Sequence, residues 1–140
     1  MKTNFVKREQ PRMLQELTEF LSIPSISALP EHAGDCRRAA QWLERHLKKL
    51  GCPVVNIIEG PGHPVVWAES PRVPDAPTLL VYGHYDVQPP DPLDEWTTEP
   101  FQPAVRDGRL YAEGPPTTRA RCSVCSRLTR RCWTPRGSRR

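Results

Sequence analysis

Apolar residues recur at helical spacing in two stretches near the start of the chain. Over residues 12–22, Met13, Leu14, Leu17, Phe20 and Leu21 fall on one face, which predicts a helix that Pro24 ends. Ser22 to Ser27 (SIPSIS) then reads as an extended turn, because the residue before a proline is pushed out of the helical region. A second helix follows, with Gly34 and Asp35 as candidate caps and Ala39, Trp42, Leu43, Leu47 and Leu50 as its buried stripe. Gly51 stands where a left-handed terminating residue belongs, and Lys48 and Lys49 suit the negative end of the helix dipole.

The period then changes. Val54 to Ile58 (VVNII) and Pro64 to Ala68 (PVVWA) read as short strands. Thr78 to Tyr82 (TLLVY) is continuously apolar, the pattern of a central strand covered on both faces. Residues 88–103 contain five prolines and are expected to hold no regular structure. Residues 104–112 read as a hairpin turning at Asp107–Gly108, a favoured two-residue turn pair. Two helices followed by short strands predict an α/β fold, and no internal repeat is visible.

Charge divides the chain in two. Residues 1–114 carry 12 Lys and Arg against all 16 acidic residues, a net charge of −4. Residues 115–140 carry eight Arg and no acid, a net charge of +8. The basic balance of the whole chain therefore belongs to its last segment, and the body offers no basic face for a nucleic acid. No segment approaches the roughly 20 apolar residues of a membrane span, and MKTNFVKREQPR lacks the apolar run of a secretory leader, so a cytoplasmic location is expected. Cys36 and Cys52 are then expected to be reduced, partly buried thiols.

The candidate chemistry lies just after the apolar run, in Gly83-His84-Tyr85-Asp86-Val87. On an extended chain His84 and Asp86, two apart, point to the same side. A neutral imidazole is a good zinc ligand, and a neighbouring carboxylate fixes its tautomer. Alone, a His-x-Asp at a strand end is more often structural than functional. The other candidates have plainer readings: His32 and His63 as solvated loop residues, His46 as a surface residue on its helix, Trp42 as core, and Asp91, Asp94 and Glu95 as a solvated acidic loop.

The wider context resembles a family. GHYDVQP at 83–89, then Trp96, Pro100-Phe101 and Asp107-Gly108-Arg109-Leu110-Tyr111, with LSIPSIS at 21–27 and KKLG at 48–51 upstream, are similar in order and content to the carnosinase and acetylornithine-deacetylase family of zinc metallopeptidases. Its dipeptidase branch is the nearer, and the resemblance covers residues 12–114. It implies the N-terminal part of a zinc-exopeptidase-type catalytic domain, a mixed sheet flanked by helices, left incomplete. It implies a two-zinc hydrolase that cleaves dipeptide or N-acyl amino acid amide bonds with a metal-activated water. His84 would be a metal ligand and Asp86 the catalytic-site carboxylate that orients it. The bridging aspartate, the general-base glutamate, the remaining ligands, and the lid domain through which such proteins often form homodimers would all lie further on.

After Gly114 the family's pattern leads to Ala-Thr-Asp-Asp-Lys-Gly, whereas this chain reads Pro-Pro-Thr-Thr-Arg-Ala-Arg-Cys-Ser-Val-Cys. Those residues can be written in codons that, with one G restored in front, encode Ala-Thr-Asp-Asp-Lys-Gly-Gln-Val-Phe-Gly-Val. The expected organisation is thus a partial catalytic domain over 1–114 and an out-of-frame, disordered, Arg/Cys-rich tail over 115–140. Thr117 and Thr118 stand at the positions of the two aspartates, and a hydroxyl cannot replace a carboxylate between two zinc ions. Cys122, Cys125 and Cys132 lack a fourth ligand for a closed zinc site within the tail. The chain as it stands is expected to be inactive and poorly stable. The alternatives are a non-catalytic protein whose basic tail binds polyanions non-specifically, or no selected function.

Overall fold

The computed structural model describes residues 2–113. The expectations for residues 115–140, including disorder and the roles of Thr117, Thr118 and the three cysteines, lie outside the described residues. The order of elements is helix α1 (Lys2–Leu21), helix α2 (Ala33–Lys49), strands β1 (Val54–Ile58) and β2 (Val65–Glu69), and strands β3 (Ala104–Arg106) and β4 (Arg109–Tyr111). This is a mixed α/β architecture, as the sequence predicts. Instead of one mixed sheet, however, the described strands form two separate antiparallel pairs, β1 with β2 and β3 with β4.

Helix α1 begins ten residues before the predicted start and runs through Pro11. Pro11 removes one helical hydrogen bond, and it lies on the exposed side of the helix. The Glu9–Arg12 ion pair, at 2.6 Å, spans the same turn. The helix ends at Leu21, three residues before Pro24, as expected. Its buried face holds Phe20 and Leu21, but also Glu16, whose carboxylate lies 3.7 Å from Arg12, while Leu14 is exposed.

Helix α2 starts one residue earlier than its candidate caps. His32 takes the N-cap position, and its Nδ1 lies 2.6 Å from Asp35 Oδ2 in the first turn. His32 is therefore half-buried and paired, not solvated. The far end follows the sequence closely. Gly51 has φ +94°, its N–H bonds the Lys48 carbonyl at 2.9 Å, and the Cys52 N–H bonds the Leu47 carbonyl at 3.2 Å. These two bonds close the Schellman motif that satisfies the last carbonyls.

The core sits where the C-terminal turn of α1, helix α2 and β1 meet: Phe20, Leu21, Cys36, Ala39, Ala40, Leu50 and Val55 are all buried. Trp42 stacks on Phe20, with ring centroids 4.6 Å apart, and on its other side His46 stacks at 4.7 Å. His46 is thus a buried residue of the helix pair and not a surface one, because its ring fills the turn behind Trp42. Burial pushes its pKa down from the ordinary histidine value, and Lys49 and Arg12 add to the shift against a smaller opposing pull from Glu19.

Strands β1 and β2 pair from Val54↔Glu69 to Ile58↔Val65. One face turns Val55 and Ile57 inward toward α2. The other leaves Ile58, Val65 and Trp67 exposed. The second hairpin turns at Asp107 and Gly108, with φ +51° and +72°, the two positive values that a type I′ turn requires. Residues 88–103 are irregular apart from one 3₁₀ turn, Leu93–Glu95, and the acidic residues there are exposed as expected.

The predicted central strand is not formed. Residues 78–82 hold no regular structure and pair with no strand among the described residues, with Leu79, Leu80 and Tyr82 exposed by 81, 75 and 90%. Apolar propensity does not make a strand. A strand covered on both faces needs neighbours on each edge and a layer on each side, and no described segment supplies them.

Candidate functional site

His84 and Asp86 lie just past this unpaired run, so they are not carried by the tip of a strand as the sequence predicts. They are held instead by the SIPSIS segment, sixty residues earlier. Ile26 and Val87 form an isolated parallel bridge, and both are buried. The Val87 N–H donates to the Ser25 carbonyl at 2.9 Å, and the Ser25 hydroxyl donates to the Tyr85 carbonyl at 2.8 Å. The Tyr85 hydroxyl in turn donates to the Pro64 carbonyl at 2.5 Å. Its pKa is pushed up to about 12, chiefly by burial, with Cys36, Asp86 and Glu59 adding to it. Tyr85 therefore serves as a neutral donor tying this segment to the entry of β2.

The alternation of an extended chain then separates the two sides. Tyr85 points inward, and His84 and Asp86 share the other side as predicted. His84 Nδ1 lies 3.1 Å from Asp86 Oδ1 and 3.2 Å from the Asp86 backbone carbonyl. An ionised carboxylate and a carbonyl only accept, so Nδ1 carries the proton. Nε2 has no partner among the described residues. The His84 and Asp86 side chains are 48 and 36% exposed. Burial raises the pKa of Asp86, but the Ser27 hydroxyl at 2.6 Å, its own backbone N–H and His84 outweigh burial and hold it below the usual carboxylate value.

His63 also departs from the sequence reading. It is half-buried, and its Nε2–H donates to the Ser27 carbonyl at 2.9 Å. Neither His63 nor Ser25 and Ser27 stands out in the sequence as part of the site. The signal that was there is the Ser25/Ser27 spacing of two, which matches the spacing of His84 and Asp86 on the segment it faces.

An imidazole with a bound Nδ1 and an open, exposed Nε2 suits one position in the coordination shell of a zinc ion. The set ends there. Among the described residues no group of three His, Cys, Asp or Glu side chains could hold a metal ion. No described helix is long and apolar enough to cross a membrane.

Comparison with known proteins places the chain beside a family of peptidases. Residues 80–115, which contain the His84–Asp86 pair, match the model of Peptidase family M20/M25/M40. Over 120 residues the chain is 38% identical to a cysteinylglycine-S-conjugate dipeptidase of Corynebacterium striatum, an alignment that takes in 80% of this chain and 25% of that protein. Its fold superposes on human carnosine dipeptidase 1 with a TM-score of 0.80 and 27% identity, over 92% of this chain and 30% of that one. An M20 family metallo-carboxypeptidase of Sulfolobus solfataricus superposes with a TM-score of 0.72 and 38% identity, over 86% of this chain and 28% of that one. The chain thus spans a quarter to a third of the length of the relatives it matches. In its motifs and in its fold the described part of the chain resembles the proteins of peptidase family M20/M25/M40.

Proposed function

We propose that this chain carries the first metal-ligand portion of a zinc-dependent dipeptidase or N-acyl amino acid amidohydrolase, with His84 as a zinc ligand and Asp86 as the residue that orients it. The observation that carries the reading is the His84 ring, with Nδ1 fixed by Asp86 and Nε2 open. Bound zinc in such a site lowers the pKa of a water and polarises an amide carbonyl. The part these residues play is to present one neutral nitrogen in a fixed orientation. The expected substrates are small peptides or N-acyl amino acids, as the dipeptidase and carboxypeptidase relatives suggest, and the expected location is cytoplasmic.

We further propose that residues 1–114 are a partial catalytic domain and that a one-base deletion sets residues 115–140 out of frame. The family match ending at residue 115 supports this. On this reading the chain alone has no turnover, because one imidazole cannot retain an ion that needs three or four protein ligands. The test is zinc stoichiometry by elemental analysis together with dipeptide hydrolysis. Tight equimolar zinc with turnover would overturn the claim of inactivity. Weak zinc uptake that His84→Ala abolishes would support the ligand assignment. Sequencing the gene across codons 110–125 tests the deletion, and an unbroken frame encoding the residues as they stand would refute it.

A further inference from the structure

We infer that Ser27 is a positioning residue for His84, acting through Asp86 to fix the imidazole tautomer that leaves Nε2 open. The inference rests on the reading of His84 as a ligand and is argued from the hydrogen bonds around Asp86.

Each oxygen of the Asp86 carboxylate has its own partner. Oδ1 accepts from His84 Nδ1 at 3.1 Å, and Oδ2 accepts from the Ser27 hydroxyl at 2.6 Å. A carboxylate cannot donate, so the one hydroxyl proton of Ser27 is committed to this bond, which is charge-assisted and short. Ser27 is itself held from outside, because His63 Nε2–H donates to its carbonyl at 2.9 Å. The two serines of the strap divide the work. Ser25 bonds the backbone of the facing segment at Tyr85 and Val87, and the Ser27 hydroxyl bonds the Asp86 side chain.

A purely structural tie would leave the imidazole out of the matter. The terminal torsion of an aspartate is broad and nearly two-fold, so a carboxylate bound at one oxygen alone turns easily. Asp86 is 36% exposed, and water competes for any oxygen that is not held. With Oδ2 fixed by Ser27, Oδ1 has one direction, toward Nδ1. Without Ser27 that direction is loosened, and the carboxylate keeps only its own backbone N–H and His84. The longer contact to the Asp86 carbonyl at 3.2 Å is too weak alone to hold the ring in the Nδ1–H form as the majority.

The experiment reads the tautomer directly. The ¹⁵N-labelled chain is examined by long-range ¹H–¹⁵N correlation at mildly alkaline pH, where histidines are neutral, and the His84 signals are assigned by their loss in His84→Asn. The expected result is Nδ1–H as the majority form in the wild type, lost in Ser27→Ala and retained in Ser27→Thr. A wild-type His84 in the Nε2–H form, or a Ser27→Ala ring that stays Nδ1–H, overturns the inference. Equal loss in Ser25→Ala and Ser27→Ala also overturns it, since that is general loosening. Should Ser27→Ala unfold, Ser27→Cys, similar in size but a much weaker donor, decides the point: it must lose the majority form while Ser27→Thr keeps it. A chain that behaves as expected, but whose weak zinc uptake is unchanged in His84→Ala, leaves the role of Ser27 standing and removes the ligand reading of His84.

Discussion

Trp42 and His46 lie face to face one helical turn apart, their ring planes within 13° of parallel. The stack buries the imidazole and leaves its Nε2 without a hydrogen-bond partner among the described residues. Burial, Lys49 and Arg12 all oppose a charge on this ring, so its pKa in the folded chain is below the ordinary 6.5. Above that value the ring is neutral in both folded and unfolded chains, and folding carries no cost. As pH falls below it, the unfolded chain takes up a proton that the folded chain refuses, and stability is lost on the way down to the folded pKa. The urea needed to halve the helical circular-dichroism signal is expected to drop between about pH 7 and pH 5.5. His46→Phe keeps the stack, removes an unsatisfied nitrogen worth about 1 kcal/mol, and is expected to abolish the drop.

Phe20 is fully buried and is the contact that joins α1 to Trp42 on α2. Phe20→Ala removes a core aromatic at a cost of about 3–5 kcal/mol. Limited proteolysis is expected to trim α1 quickly in this variant, while Leu14→Ala, on the exposed side, leaves the cleavage pattern unchanged.

Gly51 and Gly34 are expected to respond in opposite directions. Gly51 has φ +94°, so Gly51→Ala strains the helix end and costs about 1 kcal/mol. Gly34 lies in the first turn of α2 with nothing within 4 Å of an added Cβ. Gly34→Ala is expected to gain about 0.5–1 kcal/mol. The same urea series reads both.

The run at 79–82 and, on the outer face of the first hairpin, Ile58, Val65 and Trp67 leave large apolar side chains open to water, and exposed apolar side chains of this kind drive association. Concentration-dependent self-association and strong binding of an apolar dye are expected. Leu80→Lys with Tyr82→Lys is expected to reduce both several-fold. A sharp, cooperative thermal transition of the unmodified chain would contradict this picture.

What the sequence made legible was local. The Gly51 terminus and the Asp107–Gly108 turn depend on backbone angles that neighbouring residues dictate, and both formed where predicted. The 78–82 strand depends on partners, so its apolar pattern described a requirement that the described residues do not meet. His46 and His63 were misread for a related reason. A polar residue at a helix face or in a Pro/Gly-rich loop is solvated by default, and only tertiary packing buries it. His84 and Asp86 were found by their spacing and by resemblance. Ser27 was not, because its partner lies 59 positions away.

The bond between the SIPSIS strap and residues 85–87 also sets an order of events during synthesis. Helix α1, helix α2 and the first hairpin are complete once the ribosome has passed residue 69. The strap has local bonds of its own, such as Ser25 N–H to the Ile23 carbonyl and Ile26 N–H to the Pro24 carbonyl at 2.8 Å, but its bonds to the site form only when Tyr85, Asp86 and Val87 arrive. Residues 22–27 are therefore translated well before the segment that they hold, and the site's own bonds close last.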